Sequence, residues 1–245
     1  MRIYNQIVTS SRNGRKLLAI LLDPDKVDES HLEPIFNRIR NTSVDMIFVG
    51  GSSVQEKMTD NLVLKIRNYS ELPIVLFPGN YEQISDHADA ILFLSLISGR
   101  NPEYLIEQQI KAVPQLQKSN LEVIPTGYIL IDGGKETAVQ RVSETKPISA
   151  KNVEEISQTA LAGMYMGKKL IYLEAGSGAL NPVLPEVIKS VKETLNIPLI
   201  VGGGIRSKSA LEQAYENGAD LVVIGTAFEE NIEFLEKNLN NEHIC

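Results

Sequence analysis

Cysteine is almost absent: the chain of 245 residues holds one, Cys245, at its last position. With no second thiol there is no disulfide framework and no cysteine-based metal site. Basic residues are outnumbered, 24 Lys and Arg against 31 Asp and Glu, for a formal net charge of −7. That balance argues against a nucleic-acid partner, although a local basic pocket can still hold an anion. No apolar run reaches transmembrane length, and residues 1–11 lack the apolar segment of a secretory signal. A soluble, cytoplasmic protein is the expectation. A domain linker and a repeat of fixed period are absent too. So is the G-x-G-x-x-G fingerprint that an open dinucleotide-binding sheet carries after its first strand.

What is present is alternation. Short apolar runs suited to buried parallel strands lie at 16–23, 45–51, 73–78, 90–96, 122–130, 169–176, 198–201 and 221–225. The fifth of these is interrupted by Pro125 and Gly127. Helical spacing follows at Leu32, Ile35, Phe36 and Ile39, over 57–68 and from near Pro102. It returns over 152–167, 183–195, 208–217 and 228–240, while the lead before Lys16 is polar. About eight strand–helix alternations in a chain of this length predict a single α/β domain over residues 1–245, a (β/α)8 TIM barrel. The longest irregular stretch, 132–151, is a candidate functional loop.

The stretch Pro198–Ser207, P-L-I-V-G-G-G-I-R-S, organises the rest. A buried strand breaks into Gly202, Gly203 and Gly204, then restarts as a helix with Ser207 as N-cap. Without Cβ atoms the backbone N–H groups can close on an anion, and the helix adds the positive end of its dipole. One glycine run alone reads as a tight turn. Here the ends of strands six (Tyr172–Gly178) and eight (Val223–Thr226) converge on it, which predicts a phosphate site at the C-terminal ends of strands six to eight.

Other polar groups fall at the same rim. Asp23 ends strand one and Ser52 follows strand two, an oxygen-only partial shell that suits Mg2+. A cap on the loop before Pro24 accounts for Asp23 equally well. Tyr172 and Glu174 share a face by period two, and an inward carboxylate needs a partner. That partner is a substrate hydroxyl or, alternatively, Lys16 or Lys169. His31, His87 and His243 share no ligand spacing and are expected at the surface.

These residues carry a resemblance. D-P-D-K after strand one, G-G-S after strand two, Y-L-E-A-G-S-G-A at strand six, V-G-G-G-I-R-S at strand seven and I-G-T at strand eight resemble the geranylgeranylglyceryl phosphate synthase family, also called PcrB-like. The chain looks like the second of that family's two sequence groups. The resemblance implies a Mg2+-dependent prenyltransferase that joins sn-glycerol 1-phosphate to a polyprenyl diphosphate, geranylgeranyl first, through an ether. It implies a homo-oligomer, dimer or hexamer. By position, Asp23 and Ser52 would hold Mg2+. Tyr172, Leu173, Glu174, Ala175, Gly176, Ser177 and Gly178, with Gly203, Gly204, Gly225 and Thr226, would hold glycerol phosphate. Glu174 would take the proton from the C3 hydroxyl and Tyr172 would orient the glycerol.

Some relatives carry a lysine where Leu21 stands, so no phosphate contact is assigned there. The D-D-x-x-D motif of helical prenyl synthases is absent. The residues from Ile91 to Ile97, with Phe77 and Tyr104, are candidates for a prenyl groove, core packing being the other reading. Lys135, Arg141 and Lys146 are candidate anion contacts on a loop folded over the diphosphate, ordinary solvated side chains being the alternative. The rival functions are a sugar-phosphate isomerase or lyase on the same fold, and a non-catalytic phosphate- or FMN-binding barrel.

Overall fold

A computed structural model describes residues 2–225 except 53, 55 and 56. Its eight strands are β1 (Leu17–Leu22), β2 (Met46–Val49), β3 (Ile74–Leu76), β4 (Ala90–Leu96), β5 (Glu122–Leu130), β6 (Leu170–Glu174), β7 (Leu199–Gly202) and β8 (Leu221–Ile224). They pair in sequence order, all parallel, and β8 returns to β1 to close the expected TIM barrel. Most strands are apolar on both faces because helices cover the outer one and side chains fill the barrel within. Leu17, Ala19, Met46 and Phe48 fill the interior, while Leu18, Ile20, Ile47 and Val49 pack outward against helices. Among the described residues the α-helices are α1 (Ile3–Arg12), α2 (Leu32–Ile39), α3 (Met58–Arg67), α4 (Gln108–Leu116), α5 (Ala138–Ser143), α6 (Val153–Tyr165), α7 (Pro185–Thr194) and α8 (Lys208–Glu216). The helix expected over 228–240 lies outside the described residues, as do Thr226, His243 and Cys245.

Four features depart from the sequence reading. Strand β5 runs unbroken through Pro125 and Gly127, pairing with β4 from Glu122 to Tyr128. The polar lead is helix α1, which closes the N-terminal end of the barrel. Ile3 and Ile7, each 1% exposed, enter the interior layer of the strands. The Glu122 carboxylate at the start of β5 accepts the N–H groups of Ile3 (2.7 Å) and Tyr4 (3.0 Å). Two orphan amides of the helix thus find a charged acceptor, which the dipole also favours. Ile7→Ala is expected to cost about 2–5 kcal/mol of stability. The check is a lower urea midpoint at unchanged m-value, with turnover intact because the site lies at the other end of the barrel.

The irregular stretch 132–151 is the third departure. It contains α5, N-capped by Thr137, whose hydroxyl accepts the Gln140 N–H at 3.3 Å. A bridge between Ile131 and Ile148 ties the stretch back to the barrel. Finally, among the described residues the alternation breaks where no helix lies between β3 and β4. The buried Gln83 bridges that gap, donating to the Gly51 carbonyl (3.0 Å) and accepting from the Gly79 N–H (3.1 Å). It fastens the loop after β2 to the loop after β3. The uncovered barrel wall beside them opens a groove.

Candidate active site

Strand β6 ends in Glu174, which the register sets between Leu130 of β5 and Gly202 of β7. The side chain is 5% exposed, and its Oε1 accepts the Gly176 N–H at 2.7 Å. Neither lysine weighed from the sequence is its partner; Lys16 donates instead to the Ala219 carbonyl at the foot of the barrel, at 2.8 Å. Burial raises the Glu174 pKa to about 7, while the Gly176 N–H and the neighbouring Tyr172 hydroxyl act in the opposite direction. Burial, and then the Glu174 charge, push the Tyr172 and Tyr128 phenols well above their ordinary value, so both remain O–H donors. The Tyr172 hydroxyl lies beside the carboxylate, yet it is buried without a hydrogen bond of good geometry. An unpaired buried hydroxyl costs roughly 1–3 kcal/mol, which an incoming oxygen can recover.

Around this pair the mouth of the barrel is a cleft of about 1030 Å³ that opens to solvent. Ser177, Gly178, Gly203, Gly204 and Gly225 line it together with Asp23 and Ser52. Gly203 holds φ at +82°, and a β-carbon there would stand 2.3 Å from Glu174 Oε1. The end of β7 is therefore packed directly against the Glu174 carboxylate and the backbone of residues 175–176 that follow β6. Ser207 caps α8 beside them, its hydroxyl accepting the Ala210 N–H at 3.1 Å. Not every assigned residue faces the mouth. Leu173 and Ala175 turn their side chains into the layer between barrel and helices, and the Gly176 N–H is engaged by Glu174.

Asp23 serves as the cap that was the second reading of it. Its Oδ1 accepts the Asp25 N–H (3.2 Å) and its Oδ2 lies 3.1 Å from Lys26 Nζ, so it does fasten the turn. It also faces the mouth, tight against Gly51, where a β-carbon would come within 2.6 Å of Oδ1. Among the described residues no three His, Cys, Asp or Glu side chains gather as a metal cage. One carboxylate and one hydroxyl fit only a hard cation that takes its remaining ligands from water and substrate.

A second cavity of about 800 Å³ adjoins the first beneath the uncovered wall. It is apolar, bordered by Phe77, Ile91, Phe93, Leu94 and Tyr104 as expected, and by Val142 of α5. Ser95 and Ile97 do not border it; the Ser95 hydroxyl donates to the Leu105 carbonyl instead. Gly51, Ser52, Phe77, Tyr128 and Val139 belong to both cavities. At that shared wall the rings of Phe77, Tyr128 and Tyr172 pack together with centroids 5.1–5.8 Å apart.

Residues 11–242 match the sequence model of the PcrB family. The chain belongs to that family. A curated relative from Zunongwangia profunda, named geranylgeranylglyceryl phosphate synthase, is 55% identical over 95% of this chain and 99% of its own. Another of the same name, from Flavobacterium johnsoniae, is 53% identical over 96% of each chain. The crystal structure of (S)-3-O-geranylgeranylglyceryl phosphate synthase from Thermoplasma acidophilum, in complex with its substrate sn-glycerol-1-phosphate, superposes with a TM-score of 0.90. It is 32% identical, covering 97% of this chain and 98% of that one.

In this PcrB-family barrel the sequence reading missed Tyr128, Val139, Val142 and Arg206. Tyr128 was countable, since inward positions of β5 run Ile124, Thr126, Tyr128, Leu130; treating Pro125 and Gly127 as an interruption hid it. The three cations weighed on 132–151 are not brought together. Lys135 approaches Gly178, Lys146 borders a separate shallow hollow beside Gly99 and Arg100, and Arg141 lies on α5 and lines neither cavity. His31 and His87 are exposed.

Proposed function

We propose that this protein joins a polyprenyl diphosphate, geranylgeranyl diphosphate first, to the C3 hydroxyl of sn-glycerol 1-phosphate, the ether-forming step of a lipid synthesis. One observation carries the reading: a buried carboxylate beside an unpartnered tyrosine hydroxyl, where a backbone-lined anion nest meets an apolar groove. The family of the chain and the glycerol phosphate held by the Thermoplasma acidophilum relative support it. No observation favours the isomerase or flavin alternatives.

The phosphate lodges among the backbone amides of residues 177–178 and 203–204, so its charge meets oriented dipoles. Anchored there, the glycerol presents its C3 hydroxyl to Glu174, and the bimolecular encounter becomes a positioned one. As O3 bonds to C1 of the prenyl chain, Glu174 accepts the proton; the C1–O bond breaks and diphosphate leaves with its electron pair. Tyr172, held protonated, donates to the glycerol and keeps it aligned. The tail lies in the groove, where each buried methylene contributes about 0.8 kcal/mol. Asp23 and Ser52 would hold Mg2+, which when bound neutralises the departing diphosphate.

The test is incubation with sn-glycerol 1-phosphate and prenyl diphosphates of graded length, with and without chelator. A glyceryl ether phosphate and free diphosphate in equal amounts are expected, formed only with Mg2+. Absence of an ether product with every donor would refute the reading, and undiminished turnover in chelator would refute the metal assignment.

A further inference from the structure

The mouth that must admit two anions is lined by carboxylates, Asp23, Asp25 and Glu174, and its Lys26 is paired with Asp23 at 3.1 Å. Against that field stand the backbone amides of the glycine-bearing turns and Arg206, which lines the same mouth. Arg206 and one further cation approach one turn from different elements. Arg206, between the glycines after β7 and the cap of α8, donates Nη2 to the Gly178 carbonyl at 3.5 Å. Lys135 comes from the loop after β5, and its Nζ lies 3.0 Å from the point where a β-carbon on Gly178 would stand. Neither forms an ion pair with another described residue.

Their placement is built. The Leu180 and Asn181 N–H groups both donate to the Gly133 carbonyl at 3.0 Å, tying the loop of Lys135 to the loop that follows Gly178. Ser207, adjacent to Arg206, anchors its backbone at the start of α8. Both side chains are exposed, so their charge carries no burial cost; what opposes their engagement is rotamer entropy. A dianion at Gly178 comes within reach of one charge from each of two loops, and charge-assisted hydrogen bonds to phosphate are the strong kind.

We propose that Lys135 and Arg206 are side-chain ligands for the phosphate of the small alcohol substrate, and that they set its selection over the uncharged alcohol. This rests on the site reading above. The test is calorimetric titration of sn-glycerol 1-phosphate, inorganic phosphate and glycerol into the wild type, Lys135→Ala, Arg206→Ala, the double variant and Lys135→Arg. Each alanine is expected to weaken both phosphate compounds by about 10-fold. The double variant should lose more than either, and Lys135→Arg should retain most of the affinity. Raising the salt should shrink the difference between variants and wild type, because exposed charges are screened. Thermal midpoints, and the KM for the prenyl diphosphate, should stay within error.

Unchanged phosphate affinity in the double variant would overturn the proposal, as would a loss confined to the prenyl diphosphate. Failure of the functional reading looks different. The wild type would then bind inorganic phosphate through this pair and yet form no ether from the glycerol phosphate.

Discussion

Glu174→Gln is expected to lower turnover by roughly 10²- to 10⁴-fold, the range of general-base contributions, with little change in glycerol phosphate affinity. The amide oxygen still accepts the Gly176 N–H that Glu174 Oε1 holds at 2.7 Å, so the turn keeps its shape. What is lost is an acceptor for the C3 proton. In the wild type kcat/KM should climb as pH rises through about 7, where the free carboxylate ionises, and the variant should lose that limb. Stability moves with the opposite sign. A folded-state pKa raised above the unfolded one means that the native protein binds more protons between about 4.5 and 7, so this group's contribution falls across that window as pH rises. The glutamine variant should therefore match the wild type near pH 5 and exceed its melting midpoint near pH 8. Full activity in Glu174→Gln would end the base assignment; equal midpoints at both pH values would show that the carboxyl is not held in its neutral form by the fold.

How far the chain disclosed this in advance depended on the range of the cause. The strands were legible because a parallel barrel buries both faces of each: Leu17–Leu22 and Leu221–Ile224 announce themselves as unbroken apolar runs. Tyr172 and Glu174 were legible for the same local reason, period two within one strand. Helix α1 was not. Only three of its ten residues are buried, and the carboxylate that receives its first amides lies more than a hundred positions away at Glu122. Helix α5 is six residues long, too short for a periodic signal, and its value is tertiary, since Val139 and Val142 wall the groove. Lys135 and Arg206 illustrate the limit most clearly. One follows strand five and the other strand seven, and only closure of the barrel brings both to Gly178. A glycine-rich strand end can be read as an anion site from its own residues; the cations that would complete it cannot.

Gly203→Ala should impair phosphate binding, turnover and stability together. The backbone holds φ at +82°, a region where an L side chain costs about 1–3 kcal/mol. The new methyl would then stand 2.3 Å from Glu174 Oε1, 2.6 Å from the Gly176 N and 2.9 Å from the Ala175 N. None of these can yield cheaply. The Gly176 N–H is the hydrogen bond that orients Glu174, and the Ala175 N–H donates to the Gly202 carbonyl at 3.1 Å across the β6–β7 seam. One methyl therefore displaces the proton acceptor and closes the nest together. The expected result is loss of measurable glycerol phosphate binding, a drop in turnover of at least about 10³-fold and a lower melting midpoint. Gly225→Ala is the control: its methyl would come no nearer than 3.6 Å to Leu21, and no positive φ is involved. That variant should keep the wild-type midpoint and lose affinity only by occupying space in the mouth. If Gly203→Ala bound glycerol phosphate as well as Gly225→Ala does, the contact between the ends of β6 and β7 would not be what shapes the anion site, and the phosphate would have to be sought elsewhere on the rim.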